Sequence, residues 1–212
     1  QETLNLHSGM FNVPKNSWKT DELLKLMDLS NKAKSYSRTL SGGMRRRLLV
    51  AKAMVHSPPI VILDEPTAGV DVELRQKLWK YFKKINKQGV TIILTTHYLE
   101  EAENLCDHIA IVNKGKIVAN TTKKSLLTKS NKIINITLNK NKMSAKDKSF
   151  LENIGKIKIN ENKLEFHFNQ NKVPVKKVIE TIHNSDLDII DLSTRNISLE
   201  DIFINMTSKD LK

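Results

Sequence analysis

The sequence has 212 residues, of which 39% are apolar, and it carries a formal net charge of +12. This length allows one large or two small domains, and the apolar fraction suffices for a hydrophobic core. The single cysteine, Cys106, excludes an internal disulfide framework and fits a reducing compartment. No apolar run approaches the roughly 20 residues of a membrane-spanning helix, and no signal-peptide pattern occurs. We therefore expect a soluble chain that contacts a membrane only through a partner.

The positive charge does not by itself indicate nucleic-acid binding. The excess is mostly lysine interleaved with asparagine, as in residues 139–142, which is typical of solvated positions under a low-GC coding bias. Aromatic residues make up only 5% of the chain and do not alternate with basic residues, as a base-stacking surface requires. We expect no nucleic-acid partner, and attraction to an anionic membrane surface is a simpler use of the charge.

Helical and strand patterns alternate through the first 127 residues. Thr20 is expected to cap the second helix, and a continuous apolar strand between two prolines is typical of a parallel sheet covered on both faces. Short strand–helix–strand intervals predict an α/β fold with crossover connections. The pattern predicts helices over residues 1–10, 20–27, 41–56, 72–88 and 98–106, strands over 60–63, 90–94, 109–112 and 117–120, and a hairpin turn at 113–116.

The composition shifts near Thr128, and residues 128–212 are rich in lysine and asparagine but still patterned. Their periodicity predicts a small, separate α+β domain, so that the domains are residues 1–127 and 128–212. A capping box beginning at Ser198 starts the last helix. The predicted elements are strands over residues 133–138, 157–159, 164–168 and 189–192, and helices over 175–182 and 198–206.

Charged and polar side chains follow two neighbouring predicted strands directly. Asp64 and Glu65 end the first strand, and His97 follows the second after two threonines. Because the carboxyl ends of parallel strands collect active groups, these side chains should meet at one edge of the sheet. Paired acids at such an edge hold a magnesium ion or orient an attacking water. A single acid in a capping turn, or a structural histidine, is the simpler alternative for each residue taken alone.

A second motif, Ser41-Gly42-Gly43, precedes a predicted helix. Glycines allow backbone amides to approach a ligand closely, and a helix start favours an anion. An ordinary loop-to-helix junction is the simpler explanation of a bare Ser-Gly-Gly, and the acids that follow about twenty residues on favour the anion-binding alternative. Asp71 likewise is expected to cap the helix that follows it.

Together these residues resemble the ATP-binding cassette (ABC) ATPases. Residues 40–44 are similar to the family signature, residues 60–65 to its Walker B strand, residues 68–71 to its D-loop, and His97 to its switch histidine. Four motifs in the family's order and spacing make the resemblance specific, and it extends over roughly residues 1–125. The sequences of residues 68–71 and 95–103 are similar to those of the ATPases of bacterial drug and polysaccharide exporters. Residues 198–203 resemble the closing helix of the small C-terminal domain found in that subfamily.

The resemblance implies a role for each residue. Asp64 would hold magnesium, usually through water, Glu65 would polarise the attacking water, and His97 would contact the γ-phosphate. Leu40, Ser41, Gly42 and Gly43 would contact the ATP of a partner subunit, and Asp71 would couple the two sites. The implied partners are a second nucleotide-binding subunit, in a homodimer or heterodimer, and an integral membrane permease. The implied location is cytoplasmic, at the inner face of the cell membrane.

One departure from the family pattern is large. No Gly-x-x-x-x-Gly-Lys-Ser/Thr phosphate loop occurs in the chain, and no convincing glutamine loop accompanies it. Both lie upstream of the signature in the family, and the first residue is Gln1. The sequence is therefore interpreted as a partial P-loop NTPase core with part of the helical subdomain, followed by a small α+β domain.

The resulting hypothesis is an ATP-binding and ATP-hydrolysing subunit of a bacterial ABC exporter, with this chain alone inactive because the phosphate loop is missing. A non-transport ABC ATPase acting on DNA or ribosomes is one alternative. A non-catalytic remnant serving as a binding or regulatory module is another. The sequence does not name a transported substrate.

Overall fold

The protein is described here by a computed structural model that covers residues 1–128, 132–139, 145–153, 155–169, 172–185 and 187–207. Two compact units make up the chain, a first unit over Gln1–Cys106 and a second unit over Asp107–Lys212. The domain boundary that the sequence places after residue 127 stays a prediction. Among the described residues, no helix combines the length and the apolar character needed to cross a membrane.

The first unit is a mixed α/β structure in which two parallel strands are joined by a helix. This confirms the predicted α/β class and its crossover connection. Short 3-10 turns occupy the connectors before the third helix. The elements are α1 (Glu2–Met10), α2 (Thr20–Leu26), α3 (Gly42–Met54), β1 (Ile60–Asp64), α4 (Val72–Lys87), β2 (Thr91–Thr95) and α5 (Leu99–Leu105).

Helices supply most of the first unit's core. Leu4 of α1, Met27 after α2, and Leu78 and Phe82 of α4 are all at most 1% exposed. Leu78 and Phe82 are four residues apart on α4, so they lie on the same face of this helix. On α3 not every apolar residue faces the core, because Leu49 is 63% exposed. The buried face of α3 instead includes Val50, Ala51 and Met54.

Thr20 has a different role from the predicted one. The residue before α2 is Lys19, and no side chain caps the helix. Thr20 is the first helical residue, and its buried hydroxyl donates to Asn5 Oδ1 at 2.7 Å. The hydroxyl therefore ties α2 to α1, because a buried donor finds a partner wherever one is in reach.

Strand β1 is covered on one face only, which contradicts the prediction of two buried faces. Val61 and Leu63 are 3% and 4% exposed, whereas Ile60 and Ile62 are 56% and 71% exposed. The physical reason is that all four side chains are apolar, so the sequence cannot show which alternate set is covered. The strand that pairs with it, β2, also has an exposed apolar residue, Ile93.

The described residues of the second unit form β3 (His108–Asn113), β4 (Lys116–Thr122), α6 (Lys123–Thr128), β5 (Lys132–Leu138), α7 (Ala145–Glu152), β6 (Lys156–Asn160), β7 (Lys163–Phe168), α8 (Val175–His183), β8 (Ile189–Asn196) and α9 (Leu199–Thr207). Their strands make two antiparallel sheets. One is the hairpin β3–β4, whose turn has positive φ at Lys114 (47°) and Gly115 (74°), as a tight hairpin requires. The other is four-stranded with the order β6-β7-β5-β8.

The predicted strands and helices of this unit are present, and two further helices, α6 and α7, join them. The capping box at the start of α9 is confirmed by two reciprocal bonds. The Asp201 amide donates to Ser198 Oγ at 3.3 Å, and the Ser198 amide donates to Asp201 Oδ2 at 2.9 Å. Apolar side chains of β5, β7 and α8 form the core, among them Ile134, Phe166 and Val178.

Candidate functional site

The ends of β1 and β2 bring polar side chains together in the first unit. Asp64 is the register partner of Thr95, and the Thr95 hydroxyl donates to Asp64 Oδ1 in a short hydrogen bond. One residue on, the Glu65 amide donates to the Thr95 carbonyl at 3.0 Å and so continues the ladder. Because parallel strands in register end at the same level, their polar side chains lie together at one edge of the sheet.

Glu65 leaves the strand in an unusual backbone conformation. Its φ of 49° lies in the left-handed region that non-glycine residues rarely adopt. Such conformations often occur where a side chain is held for function. The Glu65 side chain is 26% exposed, and its Oε2 lies 2.7 Å from His97 Nδ1.

The contact between Glu65 and His97 is close but is not an aligned hydrogen bond, because among the described residues Glu65 Oε2 has no partner that meets hydrogen-bond geometry. His97 is 62% exposed, so one side of the imidazole faces solvent. The pair thus combines an oxygen that can accept a proton with a ring nitrogen that can donate one, at an accessible strand edge.

A tight turn connects Glu65 to Asp71. The Ala68 amide donates to the Glu65 carbonyl and the Val70 amide to the Thr67 carbonyl, both at 3.2 Å. Asp71 then caps α4 by accepting from the Leu74 amide at 2.9 Å, as the sequence predicts. This backbone donor lowers the pKa of the Asp71 carboxyl below its usual value, so the cap is charged at neutral pH.

The second predicted motif lies at the start of α3. Ser41 caps this helix by accepting from the Met44 amide at 3.3 Å, and Leu40 is 8% exposed. Ser41, Gly42 and Gly43 are exposed. Within residues 1–106, no described hydrogen bond or ion pair links them to Asp64, Glu65 or His97. The motif forms a separate exposed helix start.

Sequence reasoning missed a set of residues behind the strand edge. Glu101 is fully buried, and its Oε1 accepts from the Thr67 hydroxyl at 2.8 Å and from Trp79 Nε1 at 2.9 Å. Its position between other glutamates gave no burial signal, since α5 is rich in acids. Arg75 was also missed: its Nη2 donates to the Val70 carbonyl at 3.2 Å, and its guanidinium lies 4.7 Å from the Tyr98 ring centroid.

The oxygen atoms at the ends of β1 and β2 fit part of a magnesium site. Asp64 supplies an exposed carboxylate beside a hydroxyl, and magnesium prefers such oxygen ligands while keeping several waters. Over the residues that the structure describes, no group of three or more His, Cys, Asp or Glu side chains is arranged to hold a metal. A magnesium ion at this edge would therefore have Asp64 as a carboxylate ligand.

Comparison with known proteins identifies related sequences. Residues 1–68 match the family model described as ABC transporter. The linearmycin resistance ATP-binding protein LnrL of Bacillus subtilis is 32% identical over 203 residues, which are 90% of this chain and 63% of LnrL. The Nod factor export ATP-binding protein I of Cupriavidus metallidurans is 45% identical over 98 residues, which are 46% of this chain and 32% of that protein.

A solved structure supports the same relationship. The structure described as the ATP binding subunit of an ABC transporter is 26% identical, with a TM-score of 0.55, over 60% of this chain and 54% of that chain. The chain spans 63% of the length of LnrL and 32% of the length of the Nod factor export protein.

Proposed function

We propose that the chain belongs to the ABC transporter family of ATP-binding proteins and is part of the ATP-hydrolysing subunit of a bacterial exporter. The observation that carries the proposal is the approach of Glu65 to His97 at the paired ends of β1 and β2. The names of the relatives, which concern linearmycin resistance and Nod factor export, support an exporter.

In this proposal the ends of β1 and β2 lie at the γ-phosphate of ATP. Glu65 holds the attacking water and takes up its proton at a carboxylate oxygen, while His97 contacts the γ-phosphate through its exposed ring. Asp64 holds magnesium through water, with its carboxylate fixed by Thr95. A magnesium ion held there would supply positive charge to the phosphate oxygens.

The exposed helix start has a second role in the proposal. Leu40, Ser41, Gly42 and Gly43 contact an ATP molecule held by a partner nucleotide-binding subunit, in a homodimer or heterodimer. Asp71, at the end of the tight turn, couples the two sites. An integral membrane permease receives the resulting movement, which assigns the protein to the cytoplasmic face of the membrane.

The 212-residue chain is expected to bind ATP very weakly, because no phosphate-loop motif occurs in it. In P-loop proteins the lysine and backbone amides of that loop supply most of the triphosphate contacts. Titration calorimetry of the chain with ATP and magnesium should give no saturable heat below millimolar ATP. Low-micromolar binding would contradict this part of the proposal.

The DNA sequence upstream of the Gln1 codon distinguishes the exporter proposal from the alternative that the chain is a non-catalytic binding module. A phosphate loop in frame supports a hydrolysing subunit, and the product of the complete frame should then release phosphate from ATP. A stop codon directly upstream supports the non-catalytic module. The absent phosphate-loop motif is the observation that favours this second candidate.

A further inference from the structure

A buried acid of the first unit has no place in the proposed chemistry. The Glu101 side chain is 0% exposed, although acids are rarely buried without a cationic partner. Its described partners are neutral, the Thr67 hydroxyl and the Trp79 indole, and both donate to Oε1. Oε2 is buried, and none of the described residues hydrogen-bonds to it. Burying a carboxylate in this way costs free energy, so the position is not explained by stability.

The partners of Glu101 come from different segments of the candidate site. Thr67 lies in the middle of the tight turn that joins Glu65 to Asp71, and it is 0% exposed. Trp79 belongs to α4, which Asp71 caps. Glu101 itself lies in the first turn of α5, which begins two residues after His97. One carboxylate oxygen therefore joins the turn that carries Glu65 to the segment that carries His97.

Arg75 makes a second connection between the same two segments. Its Nη2 donates to the Val70 carbonyl near the end of the tight turn, at 3.2 Å. Its guanidinium lies over the Tyr98 ring, and the Tyr98 ring centroid is 4.1 Å from that of His97. The turn is thus attached to the His97 segment at its middle and near its end.

We propose that Glu101 is a positioning residue that, together with Arg75, holds the turn over residues 65–71 against the His97 segment. The two segments then move together, and Glu65 and His97 keep the separation at which they act. This role for Glu101 rests on the function proposed above, but its structural consequence does not require ATP.

The test uses NMR of the 212-residue chain and two substitutions that preserve shape. Glu101→Leu removes the carboxylate and leaves the Thr67 and Trp79 donors without this acceptor, so it should also lower the melting temperature. Thr67→Val removes only the hydroxyl and keeps Glu101 in place. Glu101→Gln retains the accepting Oε1 and serves as the conservative rescue, and Glu100→Gln, on an exposed neighbour, is the matched control.

The readouts are the Trp79 indole signal, the Asp71 amide and the His97 ring. Glu101→Leu and Thr67→Val should shift all three signals, with the melting temperature of the first unit unchanged in at least one of the two variants. The Trp18 indole, which donates to the Val13 carbonyl, should not shift in either variant. Glu101→Gln and Glu100→Gln should leave the His97 and Asp71 signals in place.

Unchanged Asp71 and His97 signals in both shape-preserving variants would overturn the proposal. If Glu101→Leu does not fold, the Asp71 and His97 signals of Thr67→Val decide the test. A second measurement uses the product of the complete reading frame, where Glu101→Leu should lower kcat by on the order of a hundredfold with KM little changed, as misplacement of reacting groups by about 1 Å does. If the wild-type product releases no phosphate, the proposed function fails while the NMR test of Glu101 still stands.

Discussion

Ile62 and Ile93 are direct partners across the parallel strands β1 and β2, and both side chains are exposed, by 71% and 53%. Their neighbours Leu63 and Val61 on β1 are buried against the helices. The apolar sequence of β1 therefore contains two sets of residues that contribute very differently to the stability of this chain.

Leu63→Ala should lower the free energy of unfolding of the first unit by about 2–5 kcal/mol, because a buried leucine leaves a cavity. Ile62→Ala, its matched control, should change it by less than about 1 kcal/mol, since the side chain is largely exposed. Urea unfolding followed by tryptophan fluorescence measures both, because Trp18 and Trp79 both lie in the first unit. Equal losses in the two variants would mean that both faces of β1 are covered.

The second prediction concerns Gly155, which lies close to the backbone and to an aromatic ring of β7. A Cβ added at Gly155 would lie 2.5 Å from the His167 carbonyl oxygen and 2.5 Å from Phe166 Cζ. Gly155→Ala should therefore destabilise the second unit by about 1–3 kcal/mol, as overpacking does. Gly9→Ala should instead stabilise the first unit by roughly 0.5–1 kcal/mol, because Gly9 is helical and a Cβ there meets nothing within 4 Å.

Hydrogen exchange of the β5 amides reports the effect of Gly155→Ala, and thermal unfolding reports that of Gly9→Ala. Faster exchange in β5 is the expected result for the first variant. Unchanged exchange would mean that the chain at Gly155 moves away from β7 without cost.

The stability of the second unit should depend on pH through the Asp201 carboxyl. Burial alone would raise the pKa of this carboxyl, but the bonds from Arg195 and from the Ser198 amide and hydroxyl outweigh it and lower the pKa to about 2. Arg195 binds Asp201 with Nη1–Oδ2 and Nη2–Oδ1 distances of 2.6 and 3.1 Å. Because the pKa is depressed, the stabilisation is complete above the unfolded-state value near 3.9 and is lost as pH falls through about 2.

Asp201→Asn should therefore destabilise the second unit by about 2 kcal/mol at pH 7 and by much less near pH 2. Asp191→Asn, on an exposed residue of β8, is the matched control and should have little effect at either pH. Exchange of the β5 amides at the two pH values measures the difference. An equal effect of Asp201→Asn at pH 2 and pH 7 would mean that the charge of Asp201 does not matter.

The sequence predicts the elements of this fold well where periodicity is strong, as on α4, where Leu78 and Phe82 repeat at helical spacing. It also predicts that Asp64, Glu65 and His97 meet, because parallel strands end at one edge. It fails where all side chains are apolar, as on β1, since alternation then carries no information about burial. Glu101 could not be found, because burial of an acid depends on donors such as Thr67 and Trp79 that are distant in sequence.

The most direct test of the central proposal is ATP turnover by the product of the complete reading frame and by its Glu65→Gln variant. Glutamine keeps the shape of the side chain but cannot take up a proton from the attacking water, so phosphate release should fall by at least about a hundredfold. ATP binding should be unchanged, and Glu73→Gln, on an exposed residue that pairs with Lys77, should keep the wild-type rate. Wild-type phosphate release in Glu65→Gln would contradict the role proposed for Glu65 and with it the proposed site.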